Sequence, residues 1–151
     1  MSLRVWRAAA IVGVGLALGL AWNALSGRGI ALSRNVYLKA GDDVVDAATA
    51  KARLDKGALF LDARPPDFYK MAHIPGARSL PEEDFDAAFA RIEAELRGRF
   101  DIVVYCSGYG CEASHIVARK LRDKGVHAAI LNEGWPAWND AGYPVTKGDK
   151  P

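Results

Sequence analysis

The stretch DIVVYCSGYGCEASHIVARKL, residues 101–121, changes character twice. Residues 101–106 carry an apolar run that ends at Cys106 without polar alternation, the pattern of a strand buried on both faces. From Glu112 onward, Ile116, Val117 and Leu121 fall at helical spacing, and Lys124-Gly125 supplies a stop. Between strand and helix lies a loop, Ser107, Gly108, Tyr109, Gly110, Cys111 and Glu112, that completes the chain's complement of two cysteines. A strand that delivers a cysteine through a glycine-containing loop to a helix N-terminus is an α/β arrangement with a chemical group at its ligand-binding edge.

The flanking sequence repeats the alternation. Residues 58–66 (ALFLDARPP) form an apolar run that stops at Asp62 before Pro65-Pro66, a second buried strand. Residues 82–100 place Phe85, Phe89, Ile92 and Leu96 on one stripe of an amphipathic helix with acidic residues at its start. Residues 127–134 (HAAILNEG) read as a third strand and residues 135–145 (WPAWNDAGYPV) as a short helix and turn. Residues 46–57 read as a helix ending in Lys56-Gly57, and residues 67–81 as turn chemistry. The expectation is an α/β domain over residues 44–147, a central parallel sheet with helices on both faces, followed by a tail at 148–151.

The N-terminus differs in kind. AAAIVGVGLALGLAWNAL, residues 8–25, has no charge and follows Arg4 and Arg7. Eighteen helical residues rise about 27 Å, enough to cross the hydrocarbon layer. Residues 1–27 are therefore expected to be an uncleaved membrane anchor or signal, because the best exit for a signal peptidase, Ala24 and Ser26 before Gly27, is a weak one. Residues 28–43 read as a tether rich in glycine and polar residues. Arg4 and Arg7 face Arg28, Arg34 and Lys39, so the flanking charges barely choose an orientation. A short basic head before an apolar run resembles an export signal, which puts the chain in the cell membrane as a single pass with its domain on the extracytoplasmic side. Lys and Arg total 20 against 18 Asp and Glu, without a basic block, so nucleic acid is not an expected partner.

Position favours Cys106 as a nucleophile. Gly108 and Gly110 allow backbone N–H groups to turn inward as an anion cradle, and a helix N-terminus lowers a thiol pKa. For Cys111, space-filling and reactive readings stand side by side. Zinc lacks ligands, since beyond the cysteines only His73, His115 and His127 offer nitrogen, at no recognisable spacing. No Gly-x-Ser-x-Gly elbow is present, and nothing calls for a bound cofactor.

Three motifs in order resemble the rhodanese-like sulfurtransferase domain, over roughly residues 44–145. LFLDARPPDFYKMAHIPGARSLP carries Asp62-x-Arg64 after a strand and then His73-Ile74-Pro75-Gly76-Ala77. LNEGWPAWNDAGYPV resembles the closing signature, with Glu133 in place of the first glycine of a pair. Between them Cys106 stands where the family has its catalytic cysteine. The resemblance implies that Cys106 accepts sulfane sulfur as a persulfide and passes it to a thiol or other acceptor. Asp62 and Arg64 are then framework, fixing a strand end by charge-assisted hydrogen bonds, with His73 capping the turn. The loop departs from the common form: it is about two residues longer and lacks Arg and Lys, whereas cations in the common loop help hold the anionic donor. The sixth residue after Cys106 is Glu112, where a Cys-x5-Arg phosphatase needs arginine, so phosphate chemistry is not expected.

Three functions compete. The first is a membrane-anchored sulfurtransferase, weak with thiosulfate, with Cys106 as nucleophile and Cys111 as resolving or protecting thiol. Its partners would be a small sulfur donor and an acceptor, and a protein partner is compatible with the sequence. The second is a thiol redox protein using a Cys106–Cys111 disulfide, which requires Cα atoms within about 7 Å. The third is a catalytically inactive binding module with Tyr109, Trp135 and Trp138 as a docking surface, against which core packing is the more ordinary use of such aromatic side chains.

Overall fold

The computed structural model describes residues 3–25, 41–108 and 111–151. Ser26, Gly27, tether residues 28–40 and the loop residues Tyr109 and Gly110 lie outside the described residues. The chain falls into two units, residues 1–36 and 37–151. In the first, α1 (Leu3–Leu25) contains Val5–Leu25, 21 residues long and apolar enough to cross a membrane, a description that a signal sequence also fits.

The second unit is built on five parallel strands in the order β1-β5-β4-β2-β3: β1 (Val44–Val45), β2 (Leu59–Asp62), β3 (Arg78–Ser79), β4 (Ile102–Tyr105) and β5 (Ala129–Leu131). The helices between and after them are α2 (Ala47–Asp55), α3 (Pro66–Met71), α4 (Phe85–Leu96), α5 (Ala113–Asp123) and α6 (Gly134–Asp140). The unbroken apolar runs are explained by two cores. Side chains alternate across a strand, so Leu59, Leu61, Ile102 and Val104 face Phe85, Phe89, Leu96, Val117 and Leu121 of α4 and α5. Phe60, Val103, Ala129 and Leu131 face the other way, with Ala50 of α2, Tyr69 of α3 and Trp138 of α6. A sheet with both faces covered has no polar face to show.

The expected stripe of α4 is the one that is buried, with Phe85, Phe89 and Leu96 in the core and Ile92 packed against it. Helix α5 ends as Lys124-Gly125 implies. Gly125 turns to φ +79°, its N–H donates to the Arg122 carbonyl, and the Val126 N–H donates to that of Leu121, a Schellman closure.

Residues 67–81, expected as turns, contain most of α3 and the short edge strand β3. Pro66 opens α3, where its missing N–H costs nothing. Only Tyr69 of α3 is buried while Phe68 and Met71 are exposed, so no apolar stripe marks it, and a two-residue strand carries no period. Strand β1 escapes the pattern for the same reason. Immediately before it, the buried Asp42 carboxylate takes contacts from His115 (3.2 Å) and Arg122 (3.1 Å) of α5, and the Ile130 N–H donates to the Asp43 carbonyl at 2.8 Å.

Leu61, fully buried in β2, tests the core: Leu61→Ala is expected to destabilise the domain by about 2–5 kcal/mol. Gly125→Ala, which only forces a left-handed residue, should cost about 1–2 kcal/mol. Urea unfolding of both variants checks the ranking.

Candidate functional site

After β2 the chain crosses to β3 on one side and returns to β4 on the other side of β2. The carboxyl ends of β2 and β4 therefore form a switch point, the place where open α/β sheets bind ligands. A cavity of about 90 Å³ opens there. Ala63 and Pro65 line it from the end of β2, Glu82 and Glu83 from beyond β3, and Cys106, Ser107, Cys111 and Ala113 from the loop and the start of α5. Cys106 is only 3% exposed.

Three contacts fix Cys106. Its carbonyl accepts the Trp135 N–H at 2.7 Å. Gly134 makes that approach feasible at φ +58°: a Cβ there would collide with the Cys106 carbonyl oxygen and lie 2.8 Å from the Gly108 nitrogen. This is the surviving glycine of the closing pair, which accounts for tolerance of Glu133 at the first position. The third contact is covalent, since Cys106 and Cys111 are joined by a disulfide with Cα atoms 6.3 Å apart. Cys111 is half-buried against the α4–α5 core, and its N–H donates to the Gly108 carbonyl at 3.0 Å, spending that amide within the loop.

Behind the cavity, Asp62 and Arg64 form a buried ion pair. Arg64 Nε lies 2.9 and 3.1 Å from the two carboxylate oxygens and Nη2 lies 2.6 Å from Oδ2. Strand register sets Asp62 beside Tyr105, whose hydroxyl donates to Oδ2 at 2.7 Å and accepts the Ile74 N–H at 3.2 Å. Arg64 also donates to the Ala72 carbonyl and sits 4.5 Å from the Trp135 ring centroid. Burial pulls the Arg64 guanidinium down, but Asp62, by hydrogen bond and charge, outweighs it and holds the group above its ordinary value. Burial, then the Asp62 charge, pushes the Tyr105 phenol up, so it stays a neutral donor.

His73 is fully buried, stacked on Tyr69 with ring centroids 3.9 Å apart. Its Nδ1 lies 2.9 Å from the Tyr69 carbonyl, which it caps as a donor, and its backbone pairs in both directions with Thr146. Among the described residues no group of three His, Cys, Asp or Glu is placed to hold a metal. Glu112 stands before α5, about half exposed, with Arg119 at 3.7 Å.

Residues 46–141 match the rhodanese-like domain family. The chain belongs to the rhodanese-like family. It is 31% identical to the rhodanese-like domain of an Anabaena sp. protein solved by NMR, covering 72% of this chain and 81% of that one with a TM-score of 0.59. It is 28% identical to a thiosulfate sulfurtransferase from Pseudomonas aeruginosa, over 72% of this chain but 21% of that one, with a TM-score of 0.56. It also resembles an HTH-type transcriptional regulator of Mycobacterium tuberculosis, 35% identical over 120 residues and 79% of this chain, and spans about half (51%) of that relative's length.

Within this rhodanese-like domain the structure brings together Cys106, Ser107 and Cys111 around one cavity, sets Gly108 against Gly134, and places Asp62 and Arg64 behind the cavity. It seats His73 in the packing between α3 and the C-terminal segment. Of the two roles open to the aromatic residues, core packing and docking surface, Trp138 takes core packing: it is fully buried and donates from its indole to the Pro144 carbonyl. Its aromatic surface serves the core. Tyr105, Glu82 and Glu83 carry no functional signal in the sequence: Tyr105 is one more residue of an apolar strand run, and no local pattern sets the two glutamates beside Cys106.

Asp62→Asn leaves a buried guanidinium without its counter-ion and is expected to cost about 3–5 kcal/mol. Tyr105→Phe, which strands the Ile74 N–H, should cost about 1–3 kcal/mol. Thermal melts of the two variants test that order.

Proposed function

We propose that this chain is a membrane-anchored sulfurtransferase that carries sulfane sulfur as a persulfide on Cys106. One observation carries the reading: Cys106 forms the floor of a cavity at the switch point of a rhodanese-like sheet. Ala113, the first residue of α5, lines the same cavity, so the positive end of that helix favours an anion on the cysteine sulfur. Cys106 thiolate would attack the outer sulfur of a donor, the donor's remainder would leave, and the persulfide would pass its sulfur to a nucleophilic acceptor. The apolar α1 would hold the domain at the cell membrane, on the extracytoplasmic face.

The charges around the cavity bear on the donor. Glu82 and Glu83 line it, and among the described residues no Lys or Arg does. A dianion such as thiosulfate approaches two carboxylates without a cation to hold it, so an uncharged polysulfide should be the better donor.

The disulfide favours a second reading, in which Cys106 and Cys111 exchange electrons with a dithiol partner and carry no sulfur.

For the reduced full chain carrying Cys111→Ser, in detergent micelles, mass spectrometry after treatment with a sulfur donor is expected to place one added sulfur on Cys106. Cys106→Ser should abolish transfer, and retained transfer would refute the assignment. Glu83→Lys is expected to raise kcat/KM with thiosulfate about tenfold, a gain that salt erodes. An unchanged rate would show that the carboxylates do not set donor preference.

A further inference from the structure

Sulfur loading and the disulfide need not be alternatives. Resting on the sulfurtransferase reading, we infer that Cys111 resolves the Cys106 persulfide within the chain and releases hydrosulfide, so that the disulfide is a product state of sulfur chemistry.

The loop already brings the two sulfurs into bonding contact, with Cα atoms at 6.3 Å, well inside the range a disulfide spans. Cys106 is held from behind by its carbonyl contacts with Trp135 and Gly134. Cys111 lines the same cavity into which the outer sulfur of a persulfide would project. A tethered thiol meets that persulfide at a high effective concentration, whereas a free acceptor must enter a cavity of about 90 Å³ to reach a residue 3% exposed. Charge acts in the same direction. A persulfide anion would face Glu82 and Glu83 with no lining cation among the described residues, and resolution replaces it by a neutral disulfide while the negative charge departs.

With thiosulfate as donor the steps balance. Cys106–S⁻ attacks the outer sulfur of thiosulfate, forming Cys106–S–S⁻ and expelling sulfite. After protonation of the outer sulfur, Cys111–S⁻ attacks Cys106 Sγ, the bond to the outer sulfur breaks, and HS⁻ leaves with the electron pair. The two cysteines together lose two electrons and the sulfane sulfur gains them. Returning the chain to its dithiol form takes two electrons and two protons from an external dithiol. The reaction that follows this one is therefore thiol–disulfide exchange with a dithiol reductant, and the sulfur product is sulfide.

The test uses the full chain in detergent micelles, reduced, freed of reductant and held without oxygen, in a single turnover with excess thiosulfate. This donor yields sulfite at loading and sulfide only at resolution. The expected result is about one sulfite and one hydrosulfide per chain, with the protein losing two hydrogens and gaining no sulfur. Cys111→Ser should produce sulfite alone and keep the added sulfur on Cys106 until dithiothreitol is supplied. If the unmodified chain keeps its added sulfur and Cys111 stays open to alkylation, internal resolution is wrong while the sulfurtransferase reading stands. If neither protein yields sulfite or gains sulfur, both are overturned. The unmodified chain decides the matter even should the variant fold poorly.

Discussion

The buried pair of Asp62 and Arg64 is the constraint on which the carboxyl edge of the sheet depends. Two charges taken from water destabilise a fold unless nearly every polar atom is matched. Here the matching reaches four segments: Arg64 bonds the carboxylate and the Ala72 carbonyl, Tyr105 bonds the carboxylate and the Ile74 N–H, and Trp135 covers the guanidinium. One ion pair thus sets the end of β2 against the end of β4, the turn after α3 and the start of α6. Tyr105 immediately precedes Cys106, so the network that satisfies a buried charge also fixes where the cysteine leaves the sheet.

The backbone beyond Tyr105 is held by contacts that leave no room for side chains. The Cys106 carbonyl and the Gly108 amide press against Gly134, and the adjacent Trp135 N–H closes the contact. The closing signature, remote in sequence, is therefore part of the cysteine's support. That explains why its second glycine is retained while the first is Glu133: only the Gly134 Cβ position is occupied by another segment's backbone.

The fold was legible in the sequence wherever burial imposed a pattern long enough to read. The apolar runs of β2, β4 and β5, the stripe of α4 and the Lys-Gly stops of α2 and α5 each leave several residues of signal. Strands β1 and β3, two residues apiece, leave none, and α3 buries a single side chain. The strand-loop-helix position points to Cys106 and the family resemblance to Asp62 and Arg64, but the roles of Tyr105 and Trp135 depend on strand register and on a helix packed from the far end of the chain. Glu82 and Glu83 illustrate a different limit. Beside a predicted helix start they read as a favourable acidic first turn, and only the return of β3 alongside β2 turns them towards the cysteine.

That acidic wall gives the longer loop a physical meaning. A loop built to retain a sulfur anion would place cations or free amides around it, as the common loop's cations do for an anionic donor. In this chain the Cys111 amide is spent on the Gly108 carbonyl, Glu82 and Glu83 face the cavity, and the second cysteine lies in bonding contact with the first. Each of these features weakens the hold on an anion at Cys106 or shortens the path by which it leaves. A site with this balance is better suited to discharging sulfur than to storing it, with the ion pair beneath keeping Cys106 in register through both states.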